Sequence, residues 1–554
     1  MKRNALKKRF FRELKSEFGK YAVIFLFLTG AIGFVSGFLV ASDSMLAAYD
    51  ESFTKYNVED GNFELTGPAE EQFLEVLAED GLTVYENFYR NEEVEETRAT
   101  LRIFKIRDEV NRGCLMDGEL PQTAEEIAID RMHAENNKIS VGDRLNVGGR
   151  KLLVSGLVAL PDYSALYEKP SDMMFDAVEF GVAVMTEEGA AQLGDAHLHY
   201  SYSWKDSKKP SGEKKETERA KEILEVLIKG AVLTGNMPLE FIPAVSNQAI
   251  RFVGDDIGSD GKMIAAFLYI IIAILAFVFA ITISNTITKE ATVIGTLRAL
   301  GYTKGELVRH YLTLPMTVVA VAAVIGNVLG YTVFKNIAAA MYYKSYSLPT
   351  YVTLWNGDAF LRTTFIPVII MFLINVIMLE RKLSLSPLRF LRRNLSRKGY
   401  KRVIRLNSHL PIMQRFRLRI LLQNLPNYIT ILVGVFFANL ILLFGFVLPP
   451  LVDGYEKDIT SNLICAYQYI LKAPAETNEP AAEKYSVTAL QTVEGRLKSE
   501  EIMVYGITEN SRYVQAEFGD GVLVSNAYAG KHGIKAGDKI TLEERFGGFR
   551  KTMH

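Results

Sequence analysis

Few side chains in this sequence sit at spacings that do covalent chemistry. His197 and His199 are two apart, which sets both imidazoles on one face of a strand. Two nitrogens are too few for a zinc-type centre, which takes about four ligands, so the pair reads as surface histidines. Cys114 and Cys465 form no C-x-x-C pair and read as small buried residues, with a bridge between them left open. Glu92, Glu93, Glu95 and Glu96 read as a solvated acidic face. No G-x-x-x-x-G-K-[ST] run occurs, so the chain is not its own P-loop ATPase. The expectation is a non-enzymatic chain with no metal and no cofactor.

What remains is a spacing suited to mechanical work. The run from Lys289 to Tyr311, KEATVIGTLRALGYTKGELVRHY, carries Val293, Ile294, Leu297, Leu300 and Leu307 at helical spacing, and Gly301 stands where a helix C-cap is expected. It lies between two uncharged stretches, Met263–Ile283 and Leu312–Phe334, each with the roughly 20 residues that cross a bilayer. The chain must turn between them on one side of the membrane.

The segment from Glu290 to Tyr302 resembles the E-x-x-x-I-G-x-L-R-A-L-G-x signature of FtsX-like permeases, the membrane subunits of MacB-type ABC transporters. The resemblance implies that this is a coupling helix docked on a partner ATPase. It assigns that work to Glu290, Gly295, Leu297, Arg298, Ala299, Gly301 and Tyr302, with Glu290, Arg298 and Tyr302 meeting the ATPase. Ser386 to Arg392 is similar to the P-x-x-x-L-R element of the same family, carried here by Pro387, Leu391 and Arg392.

The elements that position these residues follow from hydropathy. Nearly half the chain is hydrophobic and its formal net charge is −1, but apolar runs alternate with a polar, acidic segment and an intensely basic one. The expected order is a cytoplasmic amphipathic helix at 1–20, a span at 21–41, an extracytoplasmic α+β domain at 42–262, a second span at 263–283 and the coupling segment at 284–311. A third span at 312–334, an outer loop at 335–362 and a fourth span at 363–379 follow. A basic linker at 380–427, a fifth span at 428–448 and a second extracytoplasmic domain at 449–554 complete the order. In the first outer domain, strands are expected at Asn62–Thr66, Leu82–Tyr89, Glu126–Asp130, Arg144–Val147, Lys151–Leu160 and Phe180–Met185, with helices at Ala69–Leu77 and Glu216–Ile228. Gly33 and Gly37, and likewise Gly326 and Gly330, are spaced for close helix packing. Asn327, Asn375 and Asn439 are expected to bond between helices. The fold class is thus a multi-pass α-helical membrane protein of about five transmembrane helices with α+β extracytoplasmic domains, which the resemblance gives as MacB-like periplasmic core domains.

Orientation comes from charge. From Arg381 to Asn427 there is no acidic residue, while Arg389, Arg392, Arg393, Arg397, Lys398, Lys401, Arg402, Arg405, Arg415, Arg417 and Arg419 are basic. Short loops loaded with Lys and Arg stay inside, which places the coupling segment in the cytoplasm and both large domains outside a bacterial plasma membrane. Basic residues beside spans, rather than in a soluble domain, argue against nucleic acid and for membrane lipid.

Glu126 to Val147 and Gly521 to Leu542 align without a gap, with Ala134 on Ala529, Ile139 on Ile534 and Gly142-Asp143 on Gly537-Asp538. Each reads as strand, short helix, Gly-Asp turn and strand. The resemblance implies three further spans to close a second cycle, so the chain reads as truncated. Its partners are then a cytoplasmic ABC ATPase, lipid, a peptide, lipid or cell-wall partner at the outer face, and a second permease copy. The leading reading is a transporter subunit that exports or extracts a peptide, lipid or lipoprotein. The alternative is a transmembrane regulator of a cell-wall hydrolase or a sensing partner. A membrane-anchored adhesion protein would explain the outer domains but not the coupling segment.

Overall fold

The computed structural model describes residues 5–169, 172, 174–393, 411–423, 425–461, 465, 467–469, 471, 476–477, 479–493, 501–508, 511–514, 521–543 and 550–553. Arg397, Lys398, Lys401, Arg402 and Arg405 of the basic linker lie outside these residues. By contact density the chain divides into Met1–Glu213 with Val226–Phe437, and Lys214–Glu225 with Ala438–His554.

In the first unit, a short cationic helix α1 (Ala5–Ser16) is followed at once by α2 (Phe18–Lys55). At 1.5 Å per residue, the 38 residues of α2 reach about 57 Å, well beyond the about 30 Å of a hydrocarbon core. It leads into a mixed sheet formed by β1 (Gly61–Leu65), β2 (Leu82–Glu86), β3 (Tyr89–Glu93), β4 (Thr100–Lys105), β5 (Cys114–Gly118), β6 (Glu126–Asp130), β7 (Arg144–Val147), β8 (Arg150–Ala159), β9 (Phe180–Met185), β10 (Leu198–Asp206) and β11 (Pro238–Pro243). Helices α3 (Glu71–Glu79), α4 (Arg131–Asn136), α5 (Glu187–Ala191) and α6 (Glu213–Thr234) interrupt them. The strand order is β11-β1-β10-β3-β4-β9-β6-β8-β5, with β2 beside β10 and β7 beside β8. β9 is buried at every position, as expected for a strand that pairs in parallel with β4 and is covered on both faces. Phe63, Phe73, Tyr202 and Trp204 fill one part of the core, and Trp204 stacks on Phe241 at 5.1 Å.

The expected strand Leu82–Tyr89 is two strands, β2 and β3, with Asn87 and Phe88 between them; β2 pairs with one stretch of β10 and β3 with another and with β4. The expected acidic face is corrected at one position: Glu93, Glu95 and Glu96 are exposed, but Glu92 is buried, its carboxylate meeting the His197 imidazole at 3.3 Å. Strands β4, β5 and β11 have no clear alternation in the sequence, whereas β10 does alternate, with Leu198, Tyr200, Tyr202 and Trp204 on one side, and escaped the sequence reading.

The chain returns through α7 (Gln248–Lys289), then α8 (Ala291–Ala299) and α9 (Lys304–Leu329). A π-helical turn at Gly330–Phe334 joins α9 to α10 (Lys335–Ser345), so one rod runs from Lys304 to Ser345. The expected outer loop at 335–362 is therefore largely helical. The π turn absorbs Gly330, and no proline falls between it and Pro349 to stop the helix. α11 (Gly357–Phe360), a second π turn at Leu361–Phe365 and α12 (Ile366–Leu383) form the next rod, followed by α13 (Pro387–Leu391). Four of these rods are long and apolar enough to span a membrane: Phe18–Lys55, Gln248–Lys289, Lys304–Ser345 and Gly357–Leu383. A fifth candidate, Ile431–Leu440 with Gly445–Asp458, is bent by 40°.

α2 lies against α7 and α9, and α12 against α7 and α9. A Cβ on Gly33 would stand 3.1 Å from the Gly326 carbonyl, and one on Gly330 3.1 Å from that of Gly33, so these glycines let two backbones touch. Asn327 ties three rods together: its Oδ1 accepts from Ser36 (3.0 Å) and Thr363 (3.2 Å), and its amide donates to Thr364 (2.7 Å). Asn375 instead donates back to Met371 of its own helix, and its buried Oδ1 meets no partner in the structure. Asn439 is exposed.

The second unit holds part of α15 (Leu425–Ser461), which follows α14 (Ile412–Gln423), then α16 (Asn526–His532) and a sheet of order β13-β12-β14-β15. These strands are β12 (Ser486–Thr492), β13 (Glu501–Gly506), β14 (Ile540–Glu543) and β15 (Arg550–Met553). The aligned segments share their local bonding. Asp130 and Ser525 each cap the following helix, and the Ile139 and Ile534 amides donate to Ala134 and Ala529 at 2.8 and 2.9 Å. Asp143 and Asp538 accept from the amide three residues back at 2.8 Å in both copies, after glycines with φ of +97° and +92°. One expectation fails: Gly521–Val524 forms no strand, whereas its counterpart β6 is held between β8 and β9.

Candidate coupling site at the hairpin tip

The hairpin between α7 and α9 is shaped by local chemistry at both ends of α8. The Tyr302 amide donates to the Leu297 carbonyl and the Gly301 amide to that of Arg298, both at 3.1 Å, with Gly301 at φ +90°. This is a Schellman ending, which needs a left-handed residue and hence glycine. α9 begins with a capping box: Thr303 Oγ1 accepts the Glu306 amide, and Glu306 accepts the Thr303 amide at 2.8 Å. The T-x-x-E spacing of Thr303 and Glu306 was the readable signal for that start.

α8 rests on an apolar bed of Ile283, Ile287, Ala291, Ile294, Leu307, Tyr311, Leu379, Leu383, Leu385 and Phe390. Gly295 faces α13, and a Cβ there would stand 2.9 Å from the Leu391 amide nitrogen. The structure thus brings Gly295 of one motif onto Leu391 of the other, though they lie far apart in sequence. Arg298 donates through Nη1 to the carbonyls of Leu383 (2.8 Å) and Leu385 (3.1 Å), a cation placed at the C-terminal end of α12. Arg393 reaches Thr292 Oγ1 at 3.3 Å, and Lys304 pairs with Glu380 at 2.8 Å. Pro387 opens α13 as its first residue, and Arg392 is exposed.

Glu290 is held from two sides. Arg9 Nη2 donates to both its carboxylate oxygens at 3.0 Å, and the Tyr311 hydroxyl donates to it as well. His310 meets Glu13 at 3.2 Å, and Lys289 meets Glu17 at 3.4 Å. The carboxyl of Glu17 is held below the usual range, first by its bond to Lys20 and then by Lys289. Arg9, Glu13, His310 and Tyr311 escaped the sequence reading; the i, i+4 placement of Arg9 and Glu13 was the available hint.

The polar groups of Glu290 and Arg298 are therefore used inside the chain. Leu297 and Tyr302 are half-buried, and Ala299 and Gly301 are exposed. The outward face of α8 is Thr292, Val293, Thr296, Ala299 and Leu300, with Leu300 70% exposed, and Leu388 and Leu391 of α13 extend it. A small apolar face presented by a well-braced helix is suited to docking.

The far end of the same rod is anchored just as firmly. Arg131 Nη2 donates to the carbonyls of Tyr343 (2.8 Å) and Tyr346 (2.9 Å) at the end of α10. Asp130 accepts from the amides of Met132 (2.8 Å) and His133 (3.1 Å) and from the Ser347 hydroxyl. The Tyr346 and Tyr342 hydroxyls donate to Asp256 (2.6 Å) and Asp260 (3.1 Å) of α7.

His197 and His199 do not converge. His199 stacks on Tyr89 and bonds Glu64 at 2.9 Å, while His197 goes to Glu92. Cys114 is buried and Cys465 half-buried.

Residues 265–387 match the family model for the FtsX-like permease C-terminal domain. No curated protein matches the chain. The matched stretch contains the spanning part of α7, the braced hairpin and α9 through α12, ending at the start of α13. Over these residues the chain is similar to the FtsX-like permease C-terminal domain, a likeness that suggests an ABC transporter membrane subunit.

Proposed function

We propose that the chain is the permease subunit of a MacB-type ABC transporter, and that α8 couples a separate cytoplasmic ATPase to movement of the outer domain. The observation that carries this reading is the rod Lys304–Ser345. It begins at the capped tip beside α8 and ends under Arg131 and Asp130 of the outer domain, so displacement of the tip has a stiff route outward. The basic segments on either side of the spans support a cytoplasmic tip. Docking falls on Val293, Leu300 and Leu388, while Glu290, Gly295, Arg298 and Leu391 brace the helix from within. The work done outside is export or extraction of a peptide, lipid or lipoprotein.

A second reading, regulation of an outer-face partner without solute transport, is favoured by one observation. Among the described residues, the buried polar side chains within the apolar stretches of the four rods are uncharged: Thr29, Ser36, Thr282, Asn327, Thr363 and Asn375. A solute path usually leaves charge facing a cavity. Co-purification of an ATPase with the wild-type chain but not with Leu300→Asp tests the shared core of both readings. An ATPase-dead partner then separates them: loss of substrate release supports transport, and altered hydrolase or kinase output with flat transport supports regulation.

A further inference from the structure

Three residues on one face of the N-terminal segment, Arg9, Glu13 and Glu17, are four apart and each meets a different residue of the coupling hairpin. Arg9 takes both oxygens of Glu290, Glu13 meets His310, and Glu17 meets Lys289. Lys289 and Glu290 belong to the incoming arm and His310 to the outgoing one, so α1 bridges both arms at their base. Beneath it is a cavity of about 50 Å³ whose lining includes Ser16, Tyr21 and Thr286. The opposite side of this segment is of another kind: Phe11 of α1 and Phe18 at the start of α2 are 76% and 64% exposed, with Arg12 and Lys15 exposed between them. Aromatic and basic residues together suit the headgroup layer at the end of α2.

We infer that α1 is a latch on the coupling hairpin, a positioning element seated at the membrane surface that holds the tip until the Arg9–Glu290 pair opens. Glu290, the first residue of the signature, is then the latch's receptor and not a docking residue. The hairpin arms cannot shift together against α1 without separating the Arg9–Glu290 and Lys289–Glu17 ion pairs and the His310–Glu13 contact, the first a two-oxygen contact of the stronger, charge-assisted kind. Part of the energy delivered at α8 is spent on opening them. The role in controlling an ATPase rests on the permease reading above; the latch itself does not.

The test uses the full chain in detergent or nanodiscs and two variants, Arg9→Gln and Arg9→Lys. Arg9→Gln removes the charge and leaves a shorter polar side chain, and is expected to speed amide hydrogen exchange in Ala291–Ala299 by about fivefold, the low end of ordinary coupling between sites. Arg9→Lys, which keeps the charge, is expected to restore most of the protection. Equal exchange in Arg9→Gln and wild type would overturn the latch whether or not an ATPase is present. With a co-purified ATPase, Arg9→Gln is expected to raise ATP turnover in the absence of substrate by a similar factor. Faster exchange with unchanged turnover would overturn the control of the motor, and failure to recover any ATPase would tell against the permease reading while leaving the exchange result to decide the latch. Should Arg9→Gln not fold, which Trp204 emission reports, a bismaleimide cross-link between Arg9→Cys and Glu290→Cys decides instead. Its absence, with Lys304→Cys and Glu380→Cys cross-linking as a control, would count against the latch.

Discussion

Exchanging Asp130 for Asn separates charge from hydrogen bonding at the junction between the sheet domain and the rod. Asp130 is fully buried, and burial pushes its carboxyl up from the ordinary 3.8 to about 6, against the opposing effects of Ser347, the His133 amide and Arg131. The other titratable groups nearby are His133, whose own value burial depresses, and Glu135, which pairs with Arg131 at 3.0 Å. A carboxyl whose folded value lies above its unfolded one favours the fold when protonated. Its contribution is complete below the unfolded value, is lost as pH rises through the folded value, and stays lost above it. At about 1.36 kcal/mol per unit, a shift of about two units amounts to about 3 kcal/mol, of which about 2 kcal/mol falls between about pH 4.5 and about pH 7.5. Asn caps a helix about as well as Asp and cannot titrate. The stability of Asp130→Asn relative to wild type should therefore rise by about 2 kcal/mol over that interval. The assay is urea unfolding of the full chain in detergent, followed by emission of Trp204, which is buried in the core of the sheet domain, in a Trp355→Phe background. Stability profiles that stay parallel across the interval would refute the reasoning.

Other outcomes follow from particular contacts. Leu300→Asp leaves the fold intact because the side chain is exposed, and it should weaken ATPase retention by at least about tenfold in a pull-down, since burying a leucine contributes about 1.5–3 kcal/mol. Gly301→Val places a β-branched residue at φ +90° and should cost about 1–2 kcal/mol, seen as faster hydrogen exchange at the end of α8; Gly301→Asn should cost less. Gly37→Leu would drive a Cβ to 2.5 Å from that of Phe334 and 2.7 Å from the Lys335 nitrogen, and should lower the melting temperature in detergent. Overpacking of this kind costs about 1–3 kcal/mol. Gly30→Ala on the same helix, where nothing lies within 4 Å, should leave the melting temperature unchanged or raise it.

Much of the architecture was legible because the bilayer imposes a one-dimensional rule. Long apolar runs between charged ends are helices whatever they pack against, so Met263–Ile283 and Leu312–Phe334 could be read without knowing their neighbours. Gly301 and the Gly142 and Gly537 turns were equally readable, since local backbone geometry demands those residues. The sheet was less so: β11 is a short strand bounded by prolines whose existence rests on pairing with β1, a partner distant in sequence.

The hairpin tip divides along the same line. The helical character of its short helix and the C-terminal stop at Gly301 were determined by the sequence alone, through apolar spacing and one glycine. Which way each side chain faces was decided only by tertiary structure, because Glu290 and Arg298 look equally free on an isolated helix. In the fold, Arg9 arrives from the N-terminus and the carbonyls of Leu383 and Leu385 from the end of α12, and both charges are used within the chain. The outward face is left to Val293 and Leu300, since a charged group settles where a partner is within reach and an apolar one stays exposed where none covers it.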